Sequence, residues 1–190
     1  MIGKLLKPED YDEIEETVVN LFEDLGYTEF PVDCFDVVSK LKIELRKYSE
    51  VSEEERDYLI ANFEDAFTLK VDNVQFILSY NDNMPPERIK FTLWYEIGHI
   101  QLGHLDGCNK SQALMKEEAN HFAVFAQAPM PFVIMQRPYD EFDIANRFNL
   151  SLECANNVYR HYLNVIQYES VERKILSSRL MDIMQFSIAS

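Results

Sequence analysis

Within residues 9–25 apolar side chains fall at Tyr11, Ile14, Val18, Leu21, Phe22 and Leu25. That three-and-four spacing lines one face of a helix, and Gly26 marks its expected end. Pro31-Val32-Asp33 restarts the chain ahead of a short second helix over residues 35–41. Residues 42–48 alternate apolar and polar, which predicts a strand. Ser52, with Glu55 three residues on, is a capping-box pattern opening a third helix. Residues 66–71 and 74–80 predict two strands joined by a hairpin turn at Asp72-Asn73. Pro85-Pro86 stands where a helix should begin, and the pattern predicts that helix over residues 87–104. Gly107 separates it from a helix over residues 111–127, which Met130-Pro131 is expected to end. Helical segments over residues 140–148, 151–162 and 171–184 complete the chain. Helices, then a small sheet, then more helices imply an α+β fold, with no internal repeat and no low-complexity tract.

The chain has 190 residues, 47% hydrophobic and 13% aromatic, which is the content of a folded protein with a sizeable core. Residues 1–130 are expected to form one unit and residues 131–190 a helical subdomain packed on the same core. The most apolar stretch, residues 122–135, is interrupted by Gln127, Pro129 and Pro131, so no membrane span is expected. The apolar run at the N-terminus is too short for a signal peptide. Cys34, Cys108 and Cys154 are widely spaced and odd in number, the pattern of free thiols in a cytoplasmic protein. The net charge of −15 is uneven, because residues 1–66 carry 19 acidic against 7 basic side chains. A solvated acidic face explains that bias most simply. A docking surface for a basic protein partner is the sharper alternative. Direct binding to nucleic acid or to an anionic membrane needs clustered Lys and Arg and is not expected.

Residues 95–99 read Tyr-Glu-Ile-Gly-His, one residue from the zinc-peptidase motif His-Glu-x-x-His. The motif works because helix positions four apart share a face, so two imidazoles reach one metal while the Glu activates the metal-bound water. Glu96 and His99 are in place, but Tyr95 stands at the first ligand position. A catalytic zinc takes three protein ligands, and Glu118 on the next helix is the candidate third. Its neighbour Glu117 points about 100° away round the helix.

The run Arg-x-Lys-Phe-Thr-Leu-x-Tyr-Glu-Ile-Gly-His-x-x-Leu-Gly-His, followed by Glu-Glu-Ala-Asn-x-Phe-Ala and Met-Pro, resembles the ImmA/IrrE family of zinc metallopeptidase-like proteins. The resemblance covers roughly residues 10–165 and implies a mainly helical, zincin-like α+β domain. It implies His99 and Glu118 as zinc ligands and Glu96 as general base, with Tyr95 departing from the pattern. It also implies a protein partner, a DNA-binding helix-turn-helix repressor of a mobile element or stress response. A neutral phenol is a poor ligand, with a reference pKa near 10 against about 6.5 for imidazole. The expectation is therefore a retained fold with impaired hydrolysis and weakened zinc. Two alternatives stay open: an active zinc endopeptidase with Tyr95 as an unusual ligand, and a non-enzymatic acidic interaction protein. Tyr95→His is expected to complete a three-ligand site and raise zinc affinity.

Two other histidines stand close in sequence. His104 lies five residues after His99, about 140° round a continuing helix, so it is expected to point mostly away as a helix-end histidine. His121 is three residues after Glu118 and shares its face. The pairs Glu96-x-x-His99 and Glu118-x-x-His121 raise a di-iron carboxylate bundle as a minor rival. Residues 140–162 look like a helix-turn-helix pair, but with only Arg160 and His161 as basic groups on the second helix a structural role is expected.

Overall fold

The computed structural model describes residues 6–63, 65–72, 75–167 and 179–186. Helix α1, Pro8–Asp24, has proline in its first turn, where a missing N–H costs nothing, and buries a stripe of Ile14, Val18, Val19, Leu21 and Phe22. Strand β1, Glu29–Phe30, leads to α2, Cys34–Lys40, whose N-cap Asp33 accepts from the Phe35 N–H at 3.0 Å. Strand β2, Glu44–Lys47, is followed by α3, Glu53–Phe63, where the Ser52 hydroxyl accepts from the Glu55 N–H at 3.3 Å. Strands β3, Ala66–Lys70, and β4, Phe76–Tyr80, complete a three-stranded sheet of order β2-β4-β3. β2 runs parallel to β4, and β3 runs antiparallel to it with Ala66 opposite Tyr80 and Lys70 opposite Phe76. β3 is thus an edge strand. The expected turn residue Asn73 lies outside the described residues.

Helix α4, Pro86–Gln101, starts at the expected prolines and rests on the sheet. Helix α5, Gln112–Gln127, is capped by Ser111, whose hydroxyl accepts from the Leu114 N–H at 3.2 Å. The two helices pack antiparallel. Arg88 and Phe91 early in α4 share a cleft wall with Val124 and Gln127 late in α5, while Gly98 meets Phe122. Met130-Pro131 does not simply end α5. It opens α6, Met130–Gln136, because a proline at the second helical position supplies the φ that a first turn needs. Helices α7, Glu141–Phe148, and α8, Leu152–Gln167, meet across Asn149, which takes the left-handed conformation at φ 51°.

One apolar core runs through both halves of the chain. Phe22 meets the Trp94 ring edge-on at 5.9 Å, and the Phe30 ring packs at a tilt against Phe132 and Phe148 with centroids 5.0 and 6.2 Å away. Ile144, Phe148, Ala155 and Val158, from the helix-turn-helix-like pair, belong to the same cluster. Strand β5, Gln185–Phe186, pairs in parallel with β1. Most of the helix expected over residues 171–184 lies outside the described residues, and residues 179–183 are helical. Among the described residues no helix is long and apolar enough to cross a membrane. The three cysteines are free.

Candidate functional site

Glu96 sits mid-way along the sheet-facing side of α4 and is buried. The Thr68 hydroxyl on β3 donates to its Oε2 at 2.7 Å. Burial pushes the carboxyl above its ordinary range, and the Thr68 hydrogen bond opposes that shift only in part. Tyr48 lies fully buried nearby. Its phenol is raised to about 12 by burial and by the charges of Glu96 and Asp65.

Tyr95 is one turn before His99, and the two rings meet edge-on at 4.8 Å. The phenol is held in its protonated form, with burial first and the charges of Glu96 and Glu117 second raising it to about 12. A phenol held there is a poorer oxygen ligand than one in water.

His99 and Glu118 do approach the same region, but they meet another residue. His104 Nδ1 lies 2.9 Å from His99 Nδ1, and His104 Nε2 lies 2.9 Å from Glu118 Oε2. The expectation that His104 points away is wrong, and the helix terminus explains why. Gly103 adopts φ +68°, which stops α4 and folds the chain back. The Gly103 N–H donates to the Ile100 carbonyl at 3.1 Å and the His104 N–H to the His99 carbonyl at 3.0 Å. That is the Schellman pattern, in which the second residue past the cap lies over the last full turn. His104 is that residue and His99 is the one beneath it. The 140° rotation assumed a helix that continues to residue 104.

The rest of the network is charge-assisted. Lys110 Nζ donates to Glu118 Oε1 at 2.7 Å, so both oxygens of this buried carboxylate are taken. A carboxylate that accepts from His104 Nε2 requires the proton on that nitrogen, which leaves His104 Nδ1 as acceptor. His99 must then donate from Nδ1. Both rings are neutral in this scheme. Burial agrees: it lowers His99 to about 4, helped by His104 and Lys116, and it lowers His104 against the pull of Glu118.

Glu117 is exposed and Glu118 buried, as their helical positions required. His121 points to the other side of α5. Its Nε2 lies 3.1 Å from Glu15 Oε1 on α1, and the Tyr11 ring meets it edge-on at 4.7 Å. The di-iron rival therefore has no support: Glu96 faces β3, Glu118 faces His104, and His121 faces α1. Among the described residues no group of three or more His, Cys, Asp or Glu is disposed to hold a metal. The ligand set as it stands does not fit zinc, because both Glu118 oxygens already accept hydrogen bonds and Tyr95 keeps its proton. Reasoning from sequence missed His104, Lys110 and Thr68. The Leu-Gly-His run after the motif was the signal for the first of these.

A small sheet carrying a Glu-x-x-His helix, with a second helix antiparallel to it supplying a carboxylate, defines a zincin-like metallopeptidase fold. Residues 68–158 match the family model of the IrrE N-terminal-like domain (Peptidase_M78), which supports an ImmA/IrrE assignment for this stretch of the chain. No curated protein matches the chain.

Proposed function

We propose that the protein keeps a metallopeptidase fold to bind a protein partner and does not hydrolyse it, and that the partner is a DNA-binding repressor of a mobile element or stress response. The observation that carries the first half is the ligand set: Tyr95 protonated at the first position, and both oxygens of Glu118 engaged by His104 and Lys110. The repressor rests on the family resemblance, and its basic character suits the acidic N-terminal third. Helix α3 supports that match, since it buries none of its residues and carries Glu53, Glu54 and Glu55 in its first turn. Tyr58 on α3 and Leu69 on the edge strand β3 are 61% and 53% exposed, so both elements also offer apolar side chains to solvent. Large exposed apolar groups rimmed by charge mark protein–protein contacts.

A second reading, cleavage with Tyr95 as an oxygen ligand, is favoured by Glu96. A buried carboxyl with a raised pKa is what a general base near neutral pH needs. One experiment separates the two. A purified helix-turn-helix repressor is incubated with the wild type and with Glu96→Gln, with added zinc or manganese, and complex and fragments are followed by size exclusion and intact mass. The proposal expects a complex and an intact repressor with both proteins. Fragments that form with the wild type and not with Glu96→Gln would establish the second reading.

A further inference from the structure

We infer that His104 has taken the place of the metal: its imidazole is a built-in bridge between His99 and Glu118 that ties α4 to α5 and holds metal out. The motif would join these two residues through one ion, whose zinc–ligand bonds are about 2.0–2.1 Å, so that the coordinating atoms face a common point. Here they face opposite edges of one imidazole, at 2.9 Å from Nδ1 and 2.9 Å from Nε2. The two ring nitrogens point away from each other, so a single ion cannot replace the ring without moving both partners.

Three features make the bridge a fixture of the fold. The Schellman turn at Gly103 places His104 over His99 by backbone geometry alone. The His104 side chain is 1% exposed and that of Glu118 is 5% exposed, so water does not compete for these hydrogen bonds. Lys110 neutralises Glu118 from its outer side, which removes the electrostatic demand that a cation would otherwise meet. The chain Lys110–Glu118–His104–His99 thus satisfies a buried carboxylate with no metal. This inference builds on the non-hydrolytic reading and adds that the scaffold is indifferent to metal supply. It revises the expectation for Tyr95→His, because a third ligand on α4 does not free Glu118.

The test begins with the wild type. Two-bond nitrogen–proton NMR correlations report which ring nitrogen of each histidine carries the proton. The bridge requires the proton on Nε2 of His104 and on Nδ1 of His99, unchanged by one equivalent of zinc. Stoichiometric zinc that shifts the His99 and His104 nitrogens would overturn it. Zinc affinity is then compared across Tyr95→His, His104→Ala and Tyr95→His/His104→Ala. Tyr95→His should stay close to wild type. The double variant should bind on the order of a hundredfold or more tighter, the scale reached when even a ligand-orienting group is changed. If His104→Ala does not fold, His104→Leu in the same pairing fills the space without a hydrogen-bonding group to hold Glu118 and serves instead. Tyr95→His binding zinc as tightly as the double variant would show that His104 yields to metal, and the inference would fail. A double variant with no gain would also overturn it, since His104 would not then be what excludes the ion. Repressor binding in the presence of a zinc-shifted His104 would sink the bridge alone, and an unshifted His104 without repressor binding would sink only the functional reading.

Discussion

A neutral imidazole has one donor and one acceptor, and in His104 both are committed, to Glu118 and to His99. The consequence is a pH dependence that can be signed. The fold keeps His99 neutral, with its pKa lowered to about 4, while in the unfolded chain it takes a proton near 6.5. Its contribution is therefore complete above about pH 6.5 and is lost as pH falls towards about 4, because the unfolded state then binds the extra proton. His104, also lowered, acts in the same sense. Urea midpoints at pH 7.5 and 5.0 should differ more for the wild type than for His99→Gln. Equal differences would mean that His99 is not held neutral. At this scale the sequence spoke clearly about Glu96, His99, Glu118 and Glu117, whose faces follow from helical rotation. It misled about His104, because rotation along an ideal helix does not apply past a glycine in the left-handed conformation. The Thr68 hydrogen bond to Glu96 joins residues 28 apart in sequence and leaves no local signature.

The two motif helices are the element on which the site depends, and their approach is set by Gly98. A Cβ built there meets Cβ, Cγ and Cδ1 of Phe122 at 3.1 Å. Phe122 is fully buried, so it has little room to retreat. Gly98→Ala gains about 1 kcal/mol of helix propensity. Overpacking a dense interface costs about 1–3 kcal/mol, and the failure of the phenyl ring to yield decides the sign. We expect a net loss of up to about 2 kcal/mol, read as a melting temperature lower by up to about 8 °C. A raised melting temperature would show that the Phe122 ring yields to the added methyl and that the contact does not set the helix approach. Element order and most boundaries were legible because the apolar periodicity is strong in α1, α7 and α8, while Pro85-Pro86 and Ser111 mark the starts of α4 and α5. The end of α5 before Met130-Pro131 was readable, but α6 was missed, because a proline that bars helix continuation also starts a helix. The β1–β5 pair was invisible, since two-residue strands at opposite ends of the chain carry no pattern of their own.

At the scale of the whole molecule the charge bias and the fold act together. Residues 1–66 hold 19 of the 33 acidic side chains, and α3 presents its own to solvent. If that surface receives a basic repressor, association should weaken steeply with salt, since exposed charges are screened within about 8 Å at physiological ionic strength. Glu53→Gln/Glu54→Gln/Glu55→Gln should slow association and flatten the salt dependence, as surface plasmon resonance would report. An unchanged on-rate would leave the acidic segment as a solvated face only. The fold class was readable from the order of elements, and the family from the motif and its surroundings. What the sequence alone could not show was whether the degenerate site is an incomplete metal centre or a closed hydrogen-bonded one, because that turns on a side chain brought in by a loop. Native mass spectrometry and elemental analysis of the wild-type protein, prepared without chelators and then exposed to zinc and desalted, decide between these most directly. The account predicts that the chain remains at its metal-free mass and that its melting temperature is the same in zinc and in EDTA. One zinc per chain, retained through desalting and stabilising the fold, would contradict it.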